Sequence, residues 1–328
     1  MHKYRIAVLR GGPSEEYDVS LRTGESVLAA LESERYEPLD VVITRAGEWL
    51  LQGRVREPHE LLASVDGVFI ALHGAYGEGG TLQRLIERLH VPYTGSRAFP
   101  SAVARSKAIA KDRLAQAGVR MPRHMLVGAS ARDNVQGLAD SIAELFGPKY
   151  IVKPTNSGAS LGVRIAENRA VLPAVLSEAL AEYEQVLVEE YIAGREATCG
   201  VVENFRGERL YALPSVEIIP PSGAVFFDYQ AKCSASAGTV CPSTFSLREK
   251  DELAHLARLA HETLELSQYS RSDFIVGKDG IYFLETNTLP WLTENTPIQK
   301  ALEVVGCPYE HFVNHLMADA LESERAYR

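Results

Sequence analysis

Tyr282-Phe283-Leu284-Glu285-Thr286-Asn287-Thr288-Leu289-Pro290-Trp291-Leu292-Thr293-Glu294-Asn295-Thr296-Pro297 is the stretch whose reading decides the fold. Ile281 to Leu284 is bulky and aromatic, as a strand requires, and Pro290 breaks it. At its exit Glu285 and Asn287 stand two apart, so a strand's period of two points both the same way. Upstream, Arg271-Ser272-Asp273-Phe274-Ile275-Val276 reads as a second strand, and Gly277-Lys278-Asp279-Gly280 as the turn between the two. The hairpin would bring Asp273 beside Glu285 and Asn287. Three oxygen donors without His or Cys suit Mg²⁺, which keeps waters and is completed by phosphates. A surface hairpin with ordinary polar residues is an equal reading of this stretch alone.

The 328 residues suggest two or three domains, with 46% hydrophobic residues to fill their cores. A net charge of −9 argues against nucleic acid and for small molecules as partners. Cys199, Cys233, Cys241 and Cys307 make no CxxC or Cys/His metal spacing and no disulfide framework, which fits a reducing cytoplasm. Met1 to Arg5 leads straight into a strand without a signal-peptide core, and no stretch approaches the ~20 apolar residues of a membrane span. A cytoplasmic protein with no membrane partner is expected.

Working back to the start, Ile6-Ala7-Val8-Leu9 reads as a strand running into the turn Gly11-Gly12-Pro13-Ser14. A helix over 19–31, strands over 39–44 and 67–72, and a helix over 81–89 follow. This alternation predicts a parallel sheet covered on both faces, with ligands beyond the strands' carboxyl ends, where Gly11-Gly12 and His73-Gly74 lie. Helices are expected over 101–117, 134–146, 172–183, 249–266 and 309–321. Strands are expected over 150–153, 163–165, 185–192, 196–203 and 209–220. The long polar segment 221–242 has the length and composition of a lid.

Lys153 ends a strand and precedes the loop Thr155-Asn156-Ser157-Gly158-Ala159-Ser160, whose small residues suit wrapping phosphates. The glycines and lysine are in the wrong order for a Walker A loop, and an isolated loop of this type is more often a plain hairpin. Glu189 and Glu190 close a strand, where carboxylates take ribose hydroxyls or simply face water. His73, alone in a turn, is either a substrate contact or a structural cap.

Taken together, these features resemble the ATP-grasp carboxylate–amine ligases, and within them the D-alanine–D-alanine ligase family. The resemblance rests on GGPSEEYDVS (Gly11–Ser20), LHGAYGEGGTLQ (Leu72–Gln83), PYTGS (Pro92–Ser96), KPTNSGASLGV (Lys153–Val163), VEEYIAGREAT (Val188–Thr198), FFDYQAK (Phe226–Lys232), RSDF (Arg271–Phe274) and LETNTLP (Leu284–Pro290). These run in family order over nearly the whole chain. The resemblance implies an α/β protein, α+β overall: an ATP-grasp fold preceded by an N-terminal parallel-sheet α/β domain. Its divisions would be 1–97, a central domain over 98–185, and a catalytic domain over 186–328 with the lid at 221–242.

It further implies that one amino acid's carboxylate is phosphorylated by ATP and the amine of a second then displaces phosphate. Lys107, Lys153 and Lys232 would contact ATP, and Glu189 and Glu196 would hold adenine and ribose. Ser157, Gly158, Ser160, Glu190 and Ile192 would complete the nucleotide site. Asp273, Glu285 and Asn287 would bind Mg²⁺, with Mn²⁺ the second candidate. Arg271 would stabilise the tetrahedral intermediate and Glu16 would position the first amine. Lys232, Arg271 and Glu16 form the expected catalytic set, and His73, Trp291, Leu292 and Thr296 join Glu16 and Arg271 around substrate. Amino-acid substrates, ATP and a second copy in a homodimer are the expected partners.

The chain departs from the family pattern on the acceptor side. Ala159 and Cys233 stand where a serine and a tyrosine or phenylalanine usually join the glutamate in a hydrogen-bonded latch. Gly79 replaces an aspartate, Trp291 a glycine, and Thr296 a serine. D-alanyl-D-alanine synthesis for peptidoglycan is the leading expectation. A sister ligase with another acceptor and a nucleotide-binding homologue without turnover are the alternatives.

Overall fold

The computed structural model describes residues 3–156, 158, 161–220 and 238–327, and the described residues form three sheets. Ser157, Ala159, Ser160, Lys232, Cys233 and most of the expected lid therefore lie outside the described residues.

The first unit contains β1 (Tyr4–Gly11), α1 (Tyr17–Ala30), β2 (Tyr36–Ile43), β3 (Trp49–Leu51), β4 (Arg54–Arg56), α2 (Pro58–Leu62), β5 (Gly67–Ile70), α3 (Gly74–Glu78) and α4 (Thr81–Glu87). Its sheet order is β4-β3-β2-β1-β5, and β1 runs parallel to both β2 and β5. Ile6 to Leu9 are all buried, as an unbroken apolar run covered on both faces should be. The chain leaves β1 through Gly11 at φ 86°, where a Cβ would lie 2.4 Å from the Ile43 carbonyl oxygen. Only glycine fits there, so the turn carrying Ser14 and Glu16 begins at a fixed place. The antiparallel pair β3 and β4 extends the sheet and was not expected. Its turn, Gln52-Gly53, has positive φ at both residues, which matches strand twist in a hairpin.

The helix expected over 101–117 is instead two, α5 (Ala98–Arg105) and α6 (Lys107–Gln116), separated by an extended Ser106. The Lys107 amide donates to the Thr155 carbonyl, so the break is stabilised by a bond from a distant loop that periodicity does not report.

The central unit comprises β6 (His124–Gly128), α7 (Val135–Leu145), β7 (Tyr150–Pro154), β8 (Arg164–Ala166), α8 (Leu172–Glu182) and β9 (Gln185–Glu190). Its antiparallel sheet has the order β6-β9-β7-β8, and β7 and β8 form the expected hairpin. Val127, Ile142, Tyr150, Val152, Leu176, Val186 and Val188 belong to a core of its own. A boundary at 185/186 therefore falls inside this sheet, because β9 pairs with β6 and β7.

The last unit holds β10 (Gly194–Phe205), β11 (Glu208–Ala212), β12 (Val216–Ile219), β13 (Gly238–Val240), α9 (Leu247–Thr263), β14 (Tyr269–Gly277), β15 (Gly280–Asn287), α10 (Pro297–Val304) and α11 (Tyr309–Tyr327). The sheet order is β13-β12-β10-β14-β15, with β11 on β10. Helix α9 starts on a reciprocal Ser246–Glu249 capping box. Phe274 and Phe283 pack with Ala257, Leu253 and Leu114 beneath this sheet. Phe312, Val313, Leu316 and Met317 of α11 instead share a core with Ile6, Val8, Val68 and Phe69. Each such side chain contributes about 1.5–3 kcal/mol by burial.

Candidate active site

The hairpin read first in the sequence is present, with Asp273 opposite Glu285 and Arg271 opposite Asn287. A bulge after Asp273 sets its chemistry. Ile281 and Phe283 are buried in the core, and simple alternation would send Glu285 after them. The register passes from Asp273–Glu285 to Phe274–Phe283, so Leu284 is the extra residue and the phase reverses. Leu284 and Glu285 then both line a cavity of about 480 Å³ between the last sheet and the central sheet.

Asp273 accepts from Thr198 Oγ1 at 2.6 Å, from Arg271 Nε and Nη2 at 3.0 and 2.9 Å, and from Asn287 Nδ2 at 3.4 Å. Burial opposes the Arg271 charge, yet Asp273, then Glu285 and Glu78, hold the guanidinium above its ordinary pKa. Glu285 pairs with Lys107 Nζ at 2.9 Å. The Ser106 break thus starts α6 where its first side chain reaches the hairpin.

On the opposite wall, Glu189 lies between Lys153 Nζ at 2.8 Å and Lys111 Nζ at 2.9 Å. Burial would raise the Glu189 pKa, but the two ammonium groups prevail and hold it at about 2. Burial pulls Lys111 down to about 8 against the pull of Glu189, with Lys153 adding repulsion. The two shifts have one physical source: an anion shared by two cations is over-stabilised, while each cation has half a partner. Glu190 is held by Arg123 through Nε at 2.8 Å and Nη2 at 2.7 Å. Both acids expected to meet nucleotide hydroxyls are thus paired with protein cations. Ile192 and Glu196 line the same cavity, and Gly158 lines a neighbouring one.

Among the described lining residues of the larger cavity, Lys107, Lys153 and Arg195 face six carboxylates: Glu189, Glu190, Glu196, Glu217, Asp273 and Glu285. A polyphosphate entering so acidic a space needs added cations. Asp273 and Glu285 each already carry a positive side chain where such a cation would sit. The donor set therefore fits a hard divalent ion held by Asp273, Glu285 and Asn287. No group of three His, Cys, Asp or Glu capable of holding a metal occurs among the described residues, so water and phosphate would supply the other ligands.

The second cavity, about 380 Å³, is bounded by the turn after β1, the His73–Gly74 turn and the loop after β7. It shares Pro154 and Leu161 with the first. Glu16 and Arg105 line it. Arg105 binds Glu78 at 3.0 Å and the Asn156 carbonyl at 2.6 Å, which joins the first unit to the central loop. Burial, then Glu16, raises the Glu78 pKa to about 7 against Arg105. Glu16 Oε1 accepts from Trp291 Nε1 at 2.9 Å.

The fold surrounds three of the expected substrate residues as follows. His73 is buried with Nε2 2.8 Å from Thr23 Oγ1 and Nδ1 3.1 Å from the Leu289 carbonyl. Its two nitrogens are used by the fold, and burial lowers its pKa to about 4, so it is neutral at pH 7. Leu292 is buried in the core. Thr296 donates to the Thr293 carbonyl at 2.9 Å and precedes α10. Gly79 has a local cause: a Cβ there would meet the Ala75 carbonyl oxygen at 2.4 Å.

Sequence reading missed Lys111, Thr198, Arg105 and Glu78. Lys111 is four residues after Lys107 and Thr198 two after Glu196, spacings that share a helix or strand face. Arg105 gives no such signal, because its partners are 27 and 51 residues away.

Comparison with known proteins gives matches over the same regions. The family described as D-ala D-ala ligase C-terminus matches residues 114–318, and D-ala D-ala ligase N-terminus matches 5–61 and 52–96. The D-alanine–D-alanine ligase of Syntrophobacter fumaroxidans is 36% identical over 327 residues, covering 98% of both chains. That of Geobacter sulfurreducens is 36% identical, covering 96% of this chain and 94% of the relative. The VanG D-Ala:D-Ser ligase from Enterococcus faecalis superposes with TM-score 0.82 at 26% identity, over 97% of this chain and 100% of that one. The D-alanine–D-alanine ligase from Bacillus anthracis complexed with ATP superposes with TM-score 0.81 at 26% identity, over 99% and 100%.

Proposed function

The chain belongs to the D-alanine–D-alanine ligase family, and from that premise we propose how its own residues carry out ATP-dependent ligation of two D-alanines. The protein is an ATP-dependent ligase, and peptidoglycan precursor synthesis is its role. ATP would lie in the larger cavity, with adenine among Ile151, Ile192, Ile275 and Leu284 and ribose at Glu196, all of which line it. Lys107 and Lys153 lie where phosphates would need neutralising, and Glu189 orients Lys153 and Lys111. Mg²⁺ would be held by Asp273, Glu285 and Asn287, and when bound it supplies charge neutralisation for phosphoryl transfer.

The first D-alanine carboxylate takes the γ-phosphoryl group, giving an acyl phosphate and ADP. The second amine, once deprotonated, attacks the acyl carbon, and phosphate leaves. Arg271, fixed by Asp273, would stabilise the oxyanion formed when the amine adds to the acyl carbon. Glu16, on the smaller cavity, is assigned to the first ammonium group. Ser157, Ser160 and Lys232 keep their expected ATP contacts as part of this proposal. No helix among the described residues is long and apolar enough to cross a membrane. A cytoplasmic homodimer completes the reading, with 1–97, the central unit and the remainder as its functional divisions.

The observation that carries this assignment is the acidic cavity in which Glu285 is paired with Lys107, Asp273 with Arg271, and Glu189 with Lys153 and Lys111. A second reading, a different acceptor, is favoured by the departures from the family pattern at Ala159, Cys233, Gly79 and Trp291. The test is phosphate release and product analysis with ATP, Mg²⁺ and a panel of D- and L-amino acids and hydroxy acids. D-alanyl-D-alanine formed in step with phosphate is the expected result. Phosphate release only with another acceptor would replace the acceptor assignment, and none with any pair would overturn ligation.

A further inference from the structure

Glu16 sits in the turn after β1 and Trp291 in the turn after β15, 275 residues apart in sequence. The indole N–H to carboxylate distance of 2.9 Å makes this a charge-assisted hydrogen bond between the first and last units. Glu16 is only 5% exposed, so the bond is shielded from water on most sides. The other oxygen, Oε2, lies close to the backbone of two further turns: a Cβ at Gly74 would come within 3.0 Å of it, and one at Gly158 within 3.3 Å. Glu16, Gly74 and Gly158 all line the smaller cavity. Trp291 is itself backed by the His73 ring, 6.3 Å away between centroids. His73 is anchored by Thr23 and by the carbonyl of Leu289, two residues before Trp291. One oxygen of the carboxylate is therefore fixed by the indole, and the other is aimed along the glycine-lined wall of the cavity.

We propose that Trp291 is a positioning residue for amino-acid binding: its indole N–H holds Glu16 in place and fastens the turn after β1 to the turn after β15. The inference rests on the ligase assignment above, with Glu16 as the ammonium acceptor. A carboxylate at this cavity wall has rotamers that point away from the ligand, and the indole bond to Oε1 disfavours them. An indole N–H is a donor only, so it binds the carboxyl group through an acceptor oxygen.

Trp291→Phe keeps an aromatic ring and deletes the donor. A hydrogen bond to a charged group corresponds to about a 10- to 100-fold effect. The expected result is a KM for one of the two D-alanine subsites raised by about that factor. The KM for ATP and the melting temperature should stay close to those of the unmodified protein. Glu16→Ala should raise the same KM, and adding Trp291→Phe to it should do little more, since the indole then has nothing to hold. A Trp291→Phe effect of equal size in both backgrounds, or unchanged KM values at both subsites, overturns the proposal. Hydrogen exchange provides a readout without turnover: protection of residues 11–16 and 289–296 should fall together in Trp291→Phe, and unchanged protection is a second overturning result. Absence of D-alanyl-D-alanine from the unmodified protein would strike the ligase assignment instead, and the exchange experiment would still decide whether Trp291 fastens the two turns.

Discussion

Replacing Glu189 by glutamine strands Lys111, whose side chain is 0% exposed and whose counter-charge is Glu189 Oε1 at 2.9 Å. Lys153 keeps some access to solvent through the cavity, but Lys111 does not. Removing one member of a buried ion pair costs about 3–5 kcal/mol, because the other charge stays desolvated. Glutamine keeps the shape and one acceptor oxygen, so about 3 kcal/mol is expected at pH 7. The pH dependence follows from Lys111. Its folded pKa of about 8 is below the ordinary 10.5, so in the unmodified protein stability rises with pH between those values. Without Glu189 that folded pKa drops further, and the variant starts to gain stability at lower pH. The deficit should therefore be larger at pH 5 than at pH 9. Urea unfolding followed by circular dichroism measures it at both pH values. Lys111→Met in the same chain should recover about half of the loss by removing the stranded ammonium. A deficit below about 1 kcal/mol, one that grows toward pH 9, or no recovery in the double variant would refute the reasoning.

Glu285→Gln, nearly isosteric, should abolish phosphate release and, by removing the counter-charge of Lys107, lower the melting temperature without unfolding the protein; near-normal release at ordinary Mg²⁺ would remove Glu285 from the metal set. His73 has a folded pKa of about 4 against an ordinary 6.5, so the unfolded chain binds its proton first as pH falls. That stability is full above pH 6.5 and about 3 kcal/mol is lost by pH 4, a portion of the acid-unfolding curve that His73→Gln should flatten. Thr198→Val deletes the 2.6 Å bond to Asp273 and should cost about 1.5–3 kcal/mol in stability and lower kcat; unchanged values for both would show the hydroxyl is dispensable.

The hairpin carrying Asp273, Glu285 and Asn287 was legible because strand period and a Gly-rich turn are local signals. The bulge that aims Glu285 into the cavity was not, since Leu284 looks like any other strand residue until its partner register is known. The same division explains α5 and α6. Their apolar spacing runs through Ser106, and the break depends on the Thr155 carbonyl, which no window around residue 106 contains. Glu189 was legible as a strand-end carboxylate but not as a bridge between lysines, because Lys111 and Lys153 come from different elements. His73 and Leu292 were read from their neighbours in sequence, while their surroundings are set by Thr23, Leu289 and a shared core. Trp291 was legible only as a departure from the family pattern; its partner became evident from the fold.

The packing of α11 against the first unit has a consequence for the order in which the protein is made. Gly67 on β5 lies so close to Met317 that a Cβ there would be 2.9 Å from its Cε, and Leu321 is nearly as close. Ile6, Val8 and Val68 share their core with those helical residues. A ribosome releasing roughly 5–20 residues per second therefore exposes the first three parallel strands for on the order of ten seconds before their cover emerges. During that interval the nascent chain presents an apolar face with no partner of its own, a natural place for a chaperone to bind. A chain terminated ahead of Tyr309 would remain in that state, with both catalytic cavities encoded and the first sheet still uncovered.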